Sequence, residues 1–167
     1  RDHQIRVRCS DARAALERLP VASADLVVLD VFASARTPGN LTSVEAFELA
    51  RRALAPTGTV VANIADENPL TYARRYVAGM RSTFERVTIC SEPAVLRGRR
   101  FGNLVVIAQP ASAVPLDLEL LTRRCSSDPW PARVVHGAAL SSFVGGHRPF
   151  DDTTATGSPD PPQGIFS

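Results

Sequence analysis

A doubly wound α/β sheet is the fold class this sequence predicts, on three observations. Over residues 1–110, short β-rich apolar runs alternate with amphipathic helical stretches, the pattern of strand–helix–strand units with right-handed crossovers. The run Leu26-Val27-Val28-Leu29 is apolar at every position, as suits a parallel strand covered on both faces. Two of the runs lead into an aspartate, Asp11 after Ile5–Cys9 and Ser10, and Asp30 after Leu29. That puts both carboxylates on the edge where such sheets bind ligands.

Taken in order, the first strand is Ile5–Cys9. Ala12–Leu19 follows as a short helix with Ala14, Ala15, Leu16 and Leu19 on one stripe, stopped by Pro20. After the second strand and Asp30 comes a turn-rich loop, Ala33–Asn40, then a helix from Thr42 or Ser43 to Leu54. Ser43 is its N-cap candidate, with Glu45 in the first turn. Ala55-Pro56-Thr57-Gly58 turns the chain into a third strand, Thr59–Ile64, and a helix over 69–83 carries Tyr72, Tyr76, Val77 and Met80 at core spacing. Two last strands, Arg86–Cys90 and Asn103–Ala108, are joined too closely for a helical crossover and so pair antiparallel.

Composition bounds the rest. The chain has 167 residues, enough for one domain. Residues 1–110 form its regular part. Residues 111–146 read as an extension packed on it, with Trp130 as anchor, and 147–167 as a Pro-rich tail, either disordered or laid along the domain. The net charge of +2 does not call for nucleic acid. No apolar run reaches the length of a membrane span, and no signal-peptide pattern opens the chain. All 19 basic residues are Arg, which with 23 Ala reflects coding bias rather than function. Cys9, Cys90 and Cys125 are odd in number and widely separated, offering neither a disulfide framework nor a metal site and implying a cytoplasmic setting. The start without Met, close to a strand, reads as a piece of something longer.

Asp30 is the leading candidate for chemistry. At the end of a buried strand its carboxylate can hold a cation or take a proton from an attacking amine. A placed general base contributes about 10²- to 10⁴-fold in rate. A capping aspartate is the alternative, and strand position alone supports both. Asp11 can accept a hydrogen bond from an exocyclic amine such as adenine's, although capping the Ala12–Leu19 helix is the simpler role. Leu96-Arg97-Gly98-Arg99-Arg100 could meet an anion, but reads first as a solvated tip. His3, His136 and His147 lack metal-ligand spacing, and Gly145-Gly146 reads as a turn.

Ser10-Asp11-Ala12-Arg13, Leu26–Asp30, Pro38-x-x-Leu41-Thr42 and Leu54-Ala55-Pro56-Thr57-Gly58 together resemble the spermidine synthase-like family. The resemblance runs over residues 5–109, the second half of a class I S-adenosylmethionine-dependent methyltransferase fold. It implies a sheet lacking its first two strands, together with their Gly-rich loop and ribose-holding acid. It also implies that Asp11, with Ala12 beside it, binds adenine, and that Asp30, first acid of the Asp-x-x-Asp motif, deprotonates the acceptor amine. The cosubstrate would be decarboxylated S-adenosylmethionine or S-adenosylmethionine, with no metal. The partner would be a small-molecule amine, in a homo-oligomer, without nucleic acid or membrane.

One position departs from the pattern. Ala33 stands where the motif's second aspartate belongs, and Arg36 follows in the same loop. Losing an acid and adding a cation disfavours a diamine, since charges at contact exchange about 4 kcal/mol at an effective dielectric near 20. Two alternatives to aminopropyl transfer therefore stand: a methyltransferase with another acceptor, and a catalytically silent binding or assembly module.

Overall fold

The structure, a computed structural model, describes residues 5, 7–33 and 36–162. Its elements are α1 (Ala12–Arg18), β1 (Ala24–Leu29), α2 (Val44–Ala53), β2 (Leu54–Asp66), α3 (Thr71–Thr83), β3 (Arg86–Ser91), α4 (Pro93–Leu96), β4 (Gly102–Gln109), α5 (Leu118–Ser127), β5 (Arg133–Val135) and α6 (Gly137–Val144). They build one five-stranded mixed sheet in the order β1-β2-β4-β3-β5. β1 and β2 run parallel, while β4 lies antiparallel to both β2 and β3. The short Arg-rich connection therefore makes the antiparallel pair that its length demanded. Residues beyond 110 add a strand to the same sheet, since β5 pairs with β3 through Cys90 and Val134.

Alternation along the strands sorts the side chains. Val27 and Leu29 of β1, Val60, Ala62 and Ile64 of β2, and Leu104, Val106 and Ala108 of β4 belong to the buried core with Phe47 and Ala50 of α2 and Tyr76, Val77 and Met80 of α3. Tyr72, Tyr76 and Met80 are buried, as their helical spacing predicts. Phe47 and Tyr76 meet edge to face at 4.8 Å between centroids, a geometry that contributes beyond area burial. Ser43 caps α2, accepting from the Ala46 amide at 3.2 Å.

Three expectations are corrected. No strand forms at the described residues of the Ile5–Cys9 run. Residues 5 and 7–9 are unpaired, Arg6 lies outside the described residues, and Ile5 and Val7 are 92% and 89% exposed. A strand persists only where a neighbour takes its backbone groups, and no described strand runs beside this one. Second, Leu26–Leu29 is covered on one face only: Leu26 and Val28 are 56% and 57% exposed. β1 is a margin strand, so a continuous apolar run does not by itself place a strand at the centre. Third, Trp130 is 81% exposed and anchors nothing. Its backbone is held in a turn by the Asp128 carboxylate at 2.8 Å, and the C-terminal segment is anchored through Leu140, Val144 and Phe150.

Of the two readings of the tail, the described part follows the second: residues 147–162 lie along the domain as a strap. Phe150 is buried against Tyr72, with the Arg75 guanidinium 3.8 Å over its ring. Asp152 takes a bidentate pair from Arg13, at 3.2 and 3.0 Å, and a hydrogen bond from the Ser43 hydroxyl. Ser158, fully buried, exchanges backbone and side-chain bonds with Thr37 at 3.1 and 2.9 Å. The strap's polar backbone is thus satisfied by the loop that follows β1, which compensates for its small apolar content.

Candidate functional site

Asp30 and Asp66 stand at the carboxyl ends of the parallel strands β1 and β2, and the loop after Asp30 brings Asp11, at the start of α1, to the same edge. Asp30 follows β1 directly and is exposed; its Oδ1 accepts from the Asn63 amide of β2 at 3.1 Å. The Asn63 Oδ1, buried, has no partner among the described residues. Register explains the pair. Leu29 lies beside Ala62, so the next residues along each strand, Asp30 and Asn63, come side by side just past the end of the β1–β2 ladder, while Asn63 stays paired with Val105 of β4. Sequence alone hides the pair, because Asn63 is an ordinary strand residue whose neighbour follows only from the parallel register.

Asp11 lies at the start of α1 and fills the capping role. Its Oδ1 accepts from the Ala14 amide at 3.0 Å, and its Oδ2 lies 3.4 Å from the Asn40 amide. The backbone bond from Ala14 is the first cause holding its carboxyl below the ordinary value, with Asn40 adding to it. One exposed oxygen, loosely engaged, remains able to accept from a ligand. Ala12, half-buried, packs on the core. Asn40 belongs to the 3-10 turn Gly39–Leu41, so the loop after Asp30 reaches back to Asp11.

Asp66 ends β2 and is buried. It accepts from the Glu67 and Ala73 amides, both at 2.8 Å, so it pins the first turn of α3. Burial pushes its carboxyl up, against the pull of those two amides. The Tyr72 hydroxyl lies within reach of its charge, with Thr37 against Tyr72, and neither hydroxyl has a geometric hydrogen-bond partner among the described residues. Burial also raises the Tyr72 hydroxyl, which keeps it a neutral donor.

Arg36 does not point its charge freely into the loop. Its Nε donates to the Ser158 carbonyl at 2.7 Å and its Nη1 lies 3.4 Å from Asp160. Ala33 and Arg36 close a small backbone bridge at 2.7 and 3.1 Å, so the place of the motif's second acid is a tight turn.

Elsewhere, a cleft of about 400 Å³ opens at the opposite end of the sheet, by Arg86, Gln109 and His136. Arg86 spends its donors there on the carbonyls of Pro110, Ala111 and Ala113. Among the described residues no group of three His, Cys, Asp or Glu side chains could hold a metal, and no helix is long and apolar enough to cross a membrane. Cys90 and Cys125, distant in sequence, come side by side as free thiols. Burial, then Cys125, pushes the Cys90 thiol up to about 12.

No family model and no curated protein matches the chain. Among solved structures, a probable spermidine synthase from Corynebacterium glutamicum is 35% identical with a TM-score of 0.80, over 89% of this chain and 55% of that one. Human methyltransferase-like protein 13 in complex with SAH matches at 17% identity and a TM-score of 0.48, over 89% of this chain and 63% of its own. A putative DNA modification methylase from Thermus thermophilus, complexed with S-adenosyl-L-methionine, matches at 21% and 0.38, over 72% and 61%. Those two are too distant to carry an argument. The chain spans about half the length of the Corynebacterium protein. With that identity and that superposition over 89% of its length, the chain belongs to the spermidine synthase-like family.

Proposed function

We propose that this chain carries the acceptor side, and part of the nucleoside side, of an aminopropyltransferase-like enzyme. The observation that carries the reading is the Asp30–Asn63 pair, where the carboxyl end of β1 meets β2. Asn63 orients one carboxylate oxygen and leaves the other to receive a proton. Asp11 is the acceptor for an adenine amino group, with Ala12 flooring that contact. Decarboxylated S-adenosylmethionine would supply an electrophilic carbon beside a sulfonium.

In the transfer, the amine nitrogen bonds to that carbon as the carbon–sulfur bond breaks. The bonding pair goes to sulfur, releasing neutral methylthioadenosine, and the amine's proton passes through Asp30 to solvent. Holding amine and carbon in line accounts for most of the acceleration, with the base adding its share.

A second reading, methyl transfer from S-adenosylmethionine, is favoured by Ala33. With no second carboxylate in the turn, nothing in the described loop rewards a diamine's distal ammonium. The test is an amine panel with decarboxylated S-adenosylmethionine, and in parallel S-adenosylmethionine, on the full-length protein. Aminopropyl product lost in Asp30→Asn supports the first reading. Methyl product alone supports the second, and neither product, with no calorimetric binding of methylthioadenosine, rejects both.

A further inference from the structure

At the same edge of the sheet, but over the other helices, the polypeptide builds a second concavity that the transferase reading does not use. Asn68, Pro69 and Leu70 form one wall, the start of α3 with Arg74 the floor, and the turn after α4 with Arg97 and Arg99 the other wall, enclosing about 440 Å³. We propose that this is an oxyanion site, taking the phosphate or carboxylate of a small molecule.

Two features distinguish it from an ordinary solvated turn. The first is charge without compensation. Arg100 is paired with Glu92, whereas among the described residues no carboxylate lies within ion-pair distance of Arg74, Arg97 or Arg99. Three arginines lining one depression favour an anion, because a guanidinium offers a planar fork of donors that matches an oxyanion. The second is preorganisation. Arg74 donates to the Phe143 carbonyl and lies 5.1 Å over the Phe143 ring, so one cation is fixed before a ligand arrives. The opposing wall is fixed too. Gly98 takes a left-handed φ of +62°, and a Cβ there would stand 2.9 Å from the Asn68 Oδ1, so the two loops are held in contact by a residue that has to be glycine. Asp66, the nearest buried acid, is turned inward onto the Glu67 and Ala73 amides.

The test uses the full chain and inorganic phosphate, with neither nucleoside nor amine present, so its outcome is independent of the transferase reading. Phosphate is titrated while the arginine side-chain Nε–H resonances are followed, and a parallel acetate arm separates phosphate from carboxylate preference. Saturable shifts at Arg74, Arg97 and Arg99 are expected, with affinity falling as chloride rises. The double variant Arg97→Gln/Arg99→Gln should weaken binding tenfold or more, and Arg100→Gln should change it less than twofold. Shifts that never saturate, a double variant that binds as the wild type does, or an equal loss in Arg100→Gln would overturn the site.

Discussion

Arg36 donates its Nε to the carbonyl of Ser158 at 2.7 Å, across 122 positions of the chain. The cation that the sequence sets beside a missing acid is therefore spent on holding the strap, and the strap in turn holds the loop between Asp30 and Asn40. Under the proposed aminopropyl transfer, discrimination against a diamine would rest on the absent carboxylate at Ala33 more than on repulsion by Arg36.

The strap is packed, not draped. Phe150 is 3% exposed between Tyr72 and Arg75. Phe150→Ala should cost about 3–5 kcal/mol of stability, read as a lower urea midpoint at unchanged slope. A loss below about 1 kcal/mol would mean that the ring is not part of the core.

Gly79 sets two effects against each other. Alanine inside α3 gains about 1 kcal/mol of helix propensity, but its Cβ would stand 2.7 Å from the Phe47 ring. Phe47 is fully buried and cannot yield, and overpacking costs about 1–3 kcal/mol, so Gly79→Ala should destabilise on balance. Adding Phe47→Leu should recover part of the loss, and thermal unfolding of the three variants checks it.

Acid should loosen the strap before the core. The Asp152 carboxyl is held below its ordinary value of 3.8, first by the Ser43 hydroxyl and then by Arg13. A depressed folded pKa gives stability that is complete above the unfolded value and is lost as pH falls through the folded one. Hydrogen exchange at residues 150–158 should therefore rise below pH ~3.8, and Asp152→Asn should show the same exchange already at neutral pH.

The thiols should react in a fixed order. Cys9 is exposed and Cys90 buried. With its thiol raised to about 12, Cys90 holds roughly one thiolate in ten thousand molecules at pH ~8. Iodoacetamide should label Cys9 quickly and Cys90 only in denaturant, as peptide mapping would report.

The open margin of the sheet should bring chains together. β1 has β2 on one side and no described strand on the other, with Leu26 and Val28 more than half exposed. Such edges recruit other chains, so sedimentation of residues 1–167 should show concentration-dependent association, reduced in Leu26→Lys/Val28→Lys. A monomer throughout would count against it.

What the sequence made legible follows period and punctuation. The helices of Tyr76 and Phe47, the Ser43 cap and the antiparallel end of the sheet were all local patterns whose tertiary context agreed with them. Ile5–Cys9 failed because a strand pattern carries no information about whether a neighbour exists. Trp130 failed because size alone does not bury a ring that prolines on either side keep on a turn. The site was half legible. Asp30 stands where a strand end places it and Asp11 where a helix cap does, but Asn63, Arg74 with Arg97, and Cys90 with Cys125 are pairings across elements, which only register and packing create.

Arg13 and Asp152 lie 139 positions apart, and this has a consequence in time. As a chain is made from its N-terminus, Asp11, Asp30 and their loop emerge long before the segment that locks them in place. The sheet can form while synthesis continues, yet the loop stays unclamped until the last stretch is free to swing back. The candidate site is therefore completed last, and a chain stopped short of Phe150 would have its sheet without a fixed edge on which to work.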